Sequence, residues 1–142
     1  MRINRRDTTH GPLLTEATIQ EIQLELIRRT RFNAFDGPRV LAGLNAHRNL
    51  WDAVLLDRFG IAKPGKLPMM GLIKLRDLPT NIWNVDKLFI LTPNVTSAKK
   101  LTKIVKNEDW GGMVLLHSDR EELDNALGGT IEPHAVVSIW WD

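Results

Sequence analysis

Apolar residues along this chain recur at helical spacing in its first half and cluster into short runs in its second. From Thr15 the segment TEATIQEIQLELIRRTRF places Ile19, Ile22 and Leu26 about one turn apart, which predicts an amphipathic helix. Thr15 suits the N-cap and Glu16 the positive helix end, while Thr18-x-x-Glu21 offers an alternative start as a capping box. Arg28, Arg29 and Arg31 gather near the C-terminal end, where cations are favoured. Asp36-Gly37-Pro38 predicts the next start, with Asp36 as cap and Pro38 in the first turn. Val40, Leu41, Leu44, Trp51, Val54, Leu55 and Phe59 then form an apolar stripe. The polar stretch Asn45 to Asn49 divides it into two helices, and Gly60 ends the second as a C′ glycine.

The second half reads differently. A linker over 61–70 precedes GLIKLRDL, a strand expected at 71–76, and Pro79-Thr80-Asn81 turns the chain. KLFILT (Lys87 to Thr92), MVLLH (Met113 to His117) and HAVVSIWW (from His134) are short apolar runs of strand length. Between them lie two helical segments. VTSAKKLTKIVKNE is capped by Asn94 or Thr96, and SDREELDNAL opens on Ser118-x-x-Glu121 and stops at Gly128-Gly129. Strands alternating with helices argue for an α/β fold whose sheet is mainly parallel, with three or four strands covered on both faces. The expected organisation is an arm over 1–14 and one domain over 15–142. That domain has a helical part (15–60), the linker (61–70) and a β-α-β-α-β sheet part (71–142).

Composition narrows the chemistry. The 142 residues suit one domain, and 43% apolar with 25% charged residues is ordinary for a globular chain. There is no Cys, so disulfide and thiolate chemistry are excluded. The four His are scattered, without an i, i+3 or i, i+4 pair, so neither a metal nor a cofactor is expected. No apolar run approaches the ~18 residues of a membrane helix. The basic start MRINRRDTTHGPLL has no apolar stretch behind it, unlike a signal peptide, and a cytoplasmic protein is the expectation. Charge is uneven: residues 1–76 carry 13 Lys or Arg against 7 acids, and residues 77–142 carry 6 against 10. Such a split fits a nucleic-acid face, and equally two layers or two copies that attract each other.

GIAKPGKL, Gly60 to Leu67, imitates a phosphate loop but lacks its context. A helix rather than a strand is expected before Gly60, Pro68 disfavours a helix start after Lys66, and Leu67 has no hydroxyl for a metal. It is read as a helix stop and linker.

Three other groups are candidates. If the strands ending at Thr92 and His117 are neighbours, Thr92, Asn94, His117, Ser118 and Asp119 line a strand-end crevice suited to an anion. Arg5 and Arg6 on the arm, with Arg28, Arg29 and Arg31 on the first helix, are the candidate nucleic-acid contacts. Trp140 and Trp141 end a strand with no helix after it, which suggests an edge strand and an association surface. No motif assigns a catalytic residue. The expectation is a small, non-enzymatic interaction or regulatory protein that self-associates or docks a protein partner. The alternatives are a phosphate- or nucleic-acid-binding module and, third, a hydrolase with His117 as base and Asp119 or Asp86 orienting it.

Overall fold

The computed structural model describes residues 11–57, 61, 75, 77–129 and 133–142. The arm residues Arg5 and Arg6, nearly all of the linker with its GIAKPGKL sequence, and the strand expected at 71–76 (apart from Leu75) lie outside these residues.

Helix α1 spans Ile19–Arg29 and opens on the Thr18 capping box, in which Thr18 Oγ1 accepts from the Glu21 amide and Glu21 accepts from the Thr18 amide. Of the Ile19–Ile22–Leu26 stripe, Ile19 is 80% exposed, whereas Leu26 packs against the core. Gln20, Gln23 and Leu24 share the inward side with the fully buried Ile27. Helix α2 spans Gly37–Ala46, with Asp36 accepting from the Arg39 amide and Pro38 in the first turn. After a 3-10 turn at Arg48–Leu50 the chain does not form another helix. Ala53–Asp57 is strand β1, with Val54 and Leu56 buried. A short AVLLD run satisfies helical and extended readings alike, and pairing with the next strand decides the matter.

The Leu78–Thr80 3-10 turn, closed by Asn81 in left-handed conformation, brings in β2 at Lys87–Thr92. Helix α3 (Val95–Asn107), β3 (Met113–His117), α4 (Arg120–Leu127) and β4 (Ala135–Trp140) follow. Helix α4 stops at Gly128, whose φ of 75° is the left-handed geometry a C-cap glycine supplies.

Strand order in the sheet is β1-β2-β4-β3, and each of the three pairings is antiparallel. The class is mixed α/β, but the expected mainly parallel arrangement is wrong. Strands β2 and β3 do run the same way across the α3 crossover, yet β4 is inserted between them in the opposite sense. The expected edge position of the last strand is therefore also wrong: β4 is central, and among the described residues β1 and β3 are the edges.

One face of the sheet carries the core. Val54, Leu56, Leu88, Ile90, Val137 and Ile139 join Val40 and Leu44 of α2 and Leu101 and Val105 of α3. Trp51, Trp110 and Trp141 close its margins. Trp51 Nε1 donates to the Leu44 carbonyl at 2.9 Å, and Trp141 Nε1 donates to the Trp110 carbonyl at 2.8 Å. Trp141 also meets the Phe35 ring at a centroid distance of 4.0 Å. The helical layer does not cover both faces, as a parallel sheet would require. An antiparallel sheet tolerates one face turned outward. Among the described residues α4 is the helix that reaches that outer face, where Leu123 and Val136 are buried apart from the main core.

Candidate functional site

Register places the outward side chains in three rows across the sheet. The first row is Asp57, Lys87, Trp140 and Met113, and the second is Leu55, Phe89, Ser138 and Leu115. The third is Ala53, Leu91, Val136 and His117. Alternation along each strand dictates this, because residues i and i+2 share a face. The result is an apolar surface with few polar interruptions. Met113 is 62% exposed, Leu115 60% and Leu55 46%. Trp140 is also exposed, its Nε1 donating to Asp86 Oδ2 at 3.1 Å and its ring lying under the Lys87 ammonium. Trp140 and Trp141 thus face opposite sides: Trp140 belongs to the open face, while Trp141 is fully buried and unavailable as an association surface.

At the β3 end of the third row, His117 is held from both sides. Its Nδ1 lies 2.9 Å from Glu122 Oε1 of α4, and its Nε2 lies 2.7 Å from Ser138 Oγ of β4. A carboxylate only accepts, so Nδ1 donates to Glu122, and in the neutral ring Nε2 accepts from the Ser138 hydroxyl. This order, hydroxyl to imidazole to carboxylate, is the geometry of an activated nucleophile. Neither Asp119 nor Asp86 orients the ring: Asp119 accepts from the Glu122 amide as the α4 N-cap, and Asp86 is engaged by Trp140 and Lys87. Asp119 also displaces Ser118 from the capping role expected of it.

A hydroxyl, an imidazole and a carboxylate in line are not sufficient for acyl transfer. The developing oxyanion needs preorganised donors. Ser138 sits in the middle of a central strand, paired with Phe89 on one side and Leu115 on the other, so the amides around it are used by the ladder. The neighbouring outward side chains Phe89, Leu115 and Val136 are apolar, and the Trp140 N–H is already given to Asp86. The chain of bonds joins the end of β3 to β4 on one side and to α4 on the other.

The other predicted site residues are dispersed. Thr92 is fully buried on the core side, its hydroxyl donating to the Ala135 carbonyl at 2.8 Å and reaching the Asn94 carbonyl at 3.1 Å. Asn94 caps α3 by accepting from the Ser97 amide. Because β4 separates β2 from β3, and Thr92 and His117 point to opposite faces, the expected crevice does not form. Arg28 and Arg29 both bind Glu25, and Arg31 binds Asp36.

The two edges of the sheet differ in a way no linear motif shows. The free edge of β1 is occupied by amides of α1. Gln20 Oε1 accepts from the Val54 amide at 2.7 Å while Gln20 Nε2 donates to the Val54 carbonyl at 3.0 Å, and Gln23 Oε1 accepts from the Leu56 amide at 2.9 Å. A side-chain amide carries one donor and one acceptor group, as a peptide unit does, so Gln20 stands in for a neighbouring strand. Its only advance sign is two polar residues on the inward side of an amphipathic helix. Among the described residues no hydrogen bond reaches the outer edge of β3. Compared with family models, curated proteins and solved structures, the chain matches none.

Proposed function

We propose that this chain is a non-enzymatic interaction protein that works through the open face of its sheet. The observation that carries this reading is the contiguous apolar surface formed by Leu55, Phe89, Leu115, Met113 and Trp140 on a folded sheet whose opposite face holds a complete core. Exposed apolar patches of this kind mark association sites, and Trp and Met are favoured in their centres. The apolar Phe89, Leu115 and Val136 beside Ser138 supply no oxyanion donor, which favours this reading over the hydrolase alternative. The pairing of Arg28, Arg29 and Arg31 with acids of their own segment adds no support to a nucleic-acid face.

Two measurements test it. The native chain should enhance the fluorescence of anilinonaphthalene sulfonate while keeping the near-UV dichroism of its packed Trp residues. Leu55→Glu and Trp140→Glu should each reduce the enhancement. Absence of dye uptake, or uptake that both variants leave unchanged, sinks the docking face. Ester hydrolysis by the wild type that Ser138→Ala abolishes would refute the non-enzymatic part.

A further inference from the structure

We infer that the occupant of the β3 edge is a second copy of this chain, joined β3 to β3 in antiparallel fashion about a two-fold axis normal to the sheet, giving a continuous eight-stranded sheet. The inference deepens the docking reading by naming the partner, and its test is separate from the dye measurement.

The first support is the contrast between the edges. An unpaired edge presents a row of free N–H and C=O groups that recruits another strand, and folded proteins blunt such edges with charge, proline, bulges or a covering element. In β1 the covering is explicit, through Gln20 and Gln23 of α1. In β3 none of these devices is present among the described residues: Met113–His117 reads MVLLH, with no Lys, Arg, acid or proline, and it pairs with β4 without a bulge.

The second support is self-complementarity. A two-fold pairing centred on Leu115 sets Leu115 against Leu115 of the second copy, Val114 against Leu116, and Met113 against His117. Opposed residues in a ladder must share a face, and each of these pairs does: 113, 115 and 117 point outward, and 114 and 116 inward. A slip by one residue would oppose outward and inward side chains. No charged residue meets its own copy in this register. Met113 meets an imidazole, a favourable sulfur–aromatic contact, and the bonds from Glu122 and Ser138 hold that ring in place. Two-fold pairing is also self-limiting, since it consumes one open edge on each copy and the far edges are closed by glutamine.

Five residues span ~17 Å, so the seam relies on main-chain hydrogen bonds more than on area and belongs with weak, reversible interfaces. The solution mass should therefore rise from 16.2 kDa toward twice that value as concentration goes from micromolar to millimolar. Leu115→Lys and Leu115→Glu place like charges against each other across the axis, so each variant should stay monomeric. Leu115 is 60% exposed, so both should keep the wild-type near-UV dichroism. An equimolar mixture of the two should regain the dimer mass. Leu55→Lys changes the same row at the opposite edge and should leave the dimer intact. Sedimentation equilibrium decides among these outcomes. A wild type that stays at 16.2 kDa throughout, a Leu115→Lys dimer, or a mixture that stays monomeric each overturns the edge pairing. Loss of the dimer in Leu55→Lys would also overturn it, because the contact would then be face to face. Dye binding that persists beside any of these results keeps the docking face and rejects only the second copy at the edge.

Discussion

Adjacent residues of this chain have opposite fates, and Trp140 and Trp141 show it most sharply. Trp141 is fully buried against Phe35 and bonded to the Trp110 carbonyl, whereas Trp140 is exposed. Trp141→Ala should cost about 3–5 kcal/mol, as large aromatic deletions in cores do. Trp140→Ala should cost well under half of that, and urea unfolding of the two variants measures the difference. Glu25 offers a test by pH. Its hydrogen bond with Arg28, aided by Arg29, holds its pKa down at about 2 against desolvation that raises it. A depressed carboxylate stabilises the fold above its unfolded value near 4.5, and the gain is lost as pH falls toward 2. Because the pair is solvent-exposed, Glu25→Gln should lower stability at neutral pH by only about 0.5 kcal/mol. The gap between variant and wild type should close on acidification through that window, which unfolding midpoints at neutral and acidic pH would show.

Elements here are held by contacts that sequence spacing alone does not announce. The end of α2 at NAHRN and the Asp36 cap were legible, and the Thr18 box and the Asn94 cap were each one of two candidates, because capping depends on residues three apart. The β1 strand was not, since its identity comes from pairing Leu55 with Phe89 more than thirty residues away. Helix α1 was recognised as a helix, but Ile19 of its expected stripe is exposed and Gln20 and Gln23 take inward places. An apolar-stripe argument cannot foresee a helix that seats glutamines on a strand edge. Gln20→Leu keeps the bulk and removes both hydrogen bonds, leaving the Val54 amide and carbonyl unpaired at a partly buried site. It should destabilise by about 1–3 kcal/mol, measured by urea unfolding, and make the β1 edge prone to aggregation. Helix α2 meets Trp110 at Gly43, where an added Cβ would lie 2.4 Å from the indole ring. Gly43→Ala should therefore destabilise despite its better helix propensity, by about 1–3 kcal/mol from overpacking. A thermal midpoint at or above that of the wild type would contradict this contact.

Among the described residues, one sheet face is complete and the other is open, and one edge is closed and the other free. Among the described residues no helix is long and apolar enough to cross a membrane. The open face accounts for the exposure of Leu55, Leu115, Met113 and Trp140 without asking chemistry of Ser138 and His117. Hydrogen exchange should separate the two edges. With the dimer formed, β3 amides should gain protection as protein concentration rises, while the Gln20-bonded Val54 amide should be protected at every concentration. Equal behaviour of the two edges would refute the asymmetry.

The sequence by itself determined where most helices start and stop, that three apolar runs are strands, and that Asp36 caps α2, and it narrowed the cap of α1 to Thr15 or Thr18 and that of α3 to Asn94 or Thr96. These depend on neighbours within a turn or two of chain, where residue type and dihedral preference act directly. It also carried Trp140 and His117 as residues of interest. Tertiary structure decided the rest. Insertion of β4 between β2 and β3 made the sheet antiparallel, removed the crevice between Thr92 and His117, and set Ser138 beside His117. Strand order is a choice among long-range pairings that similar apolar strands satisfy almost equally well in one dimension. Packing selects among them, through the fit of α2 and α3 on one face and the closure of β1 by α1.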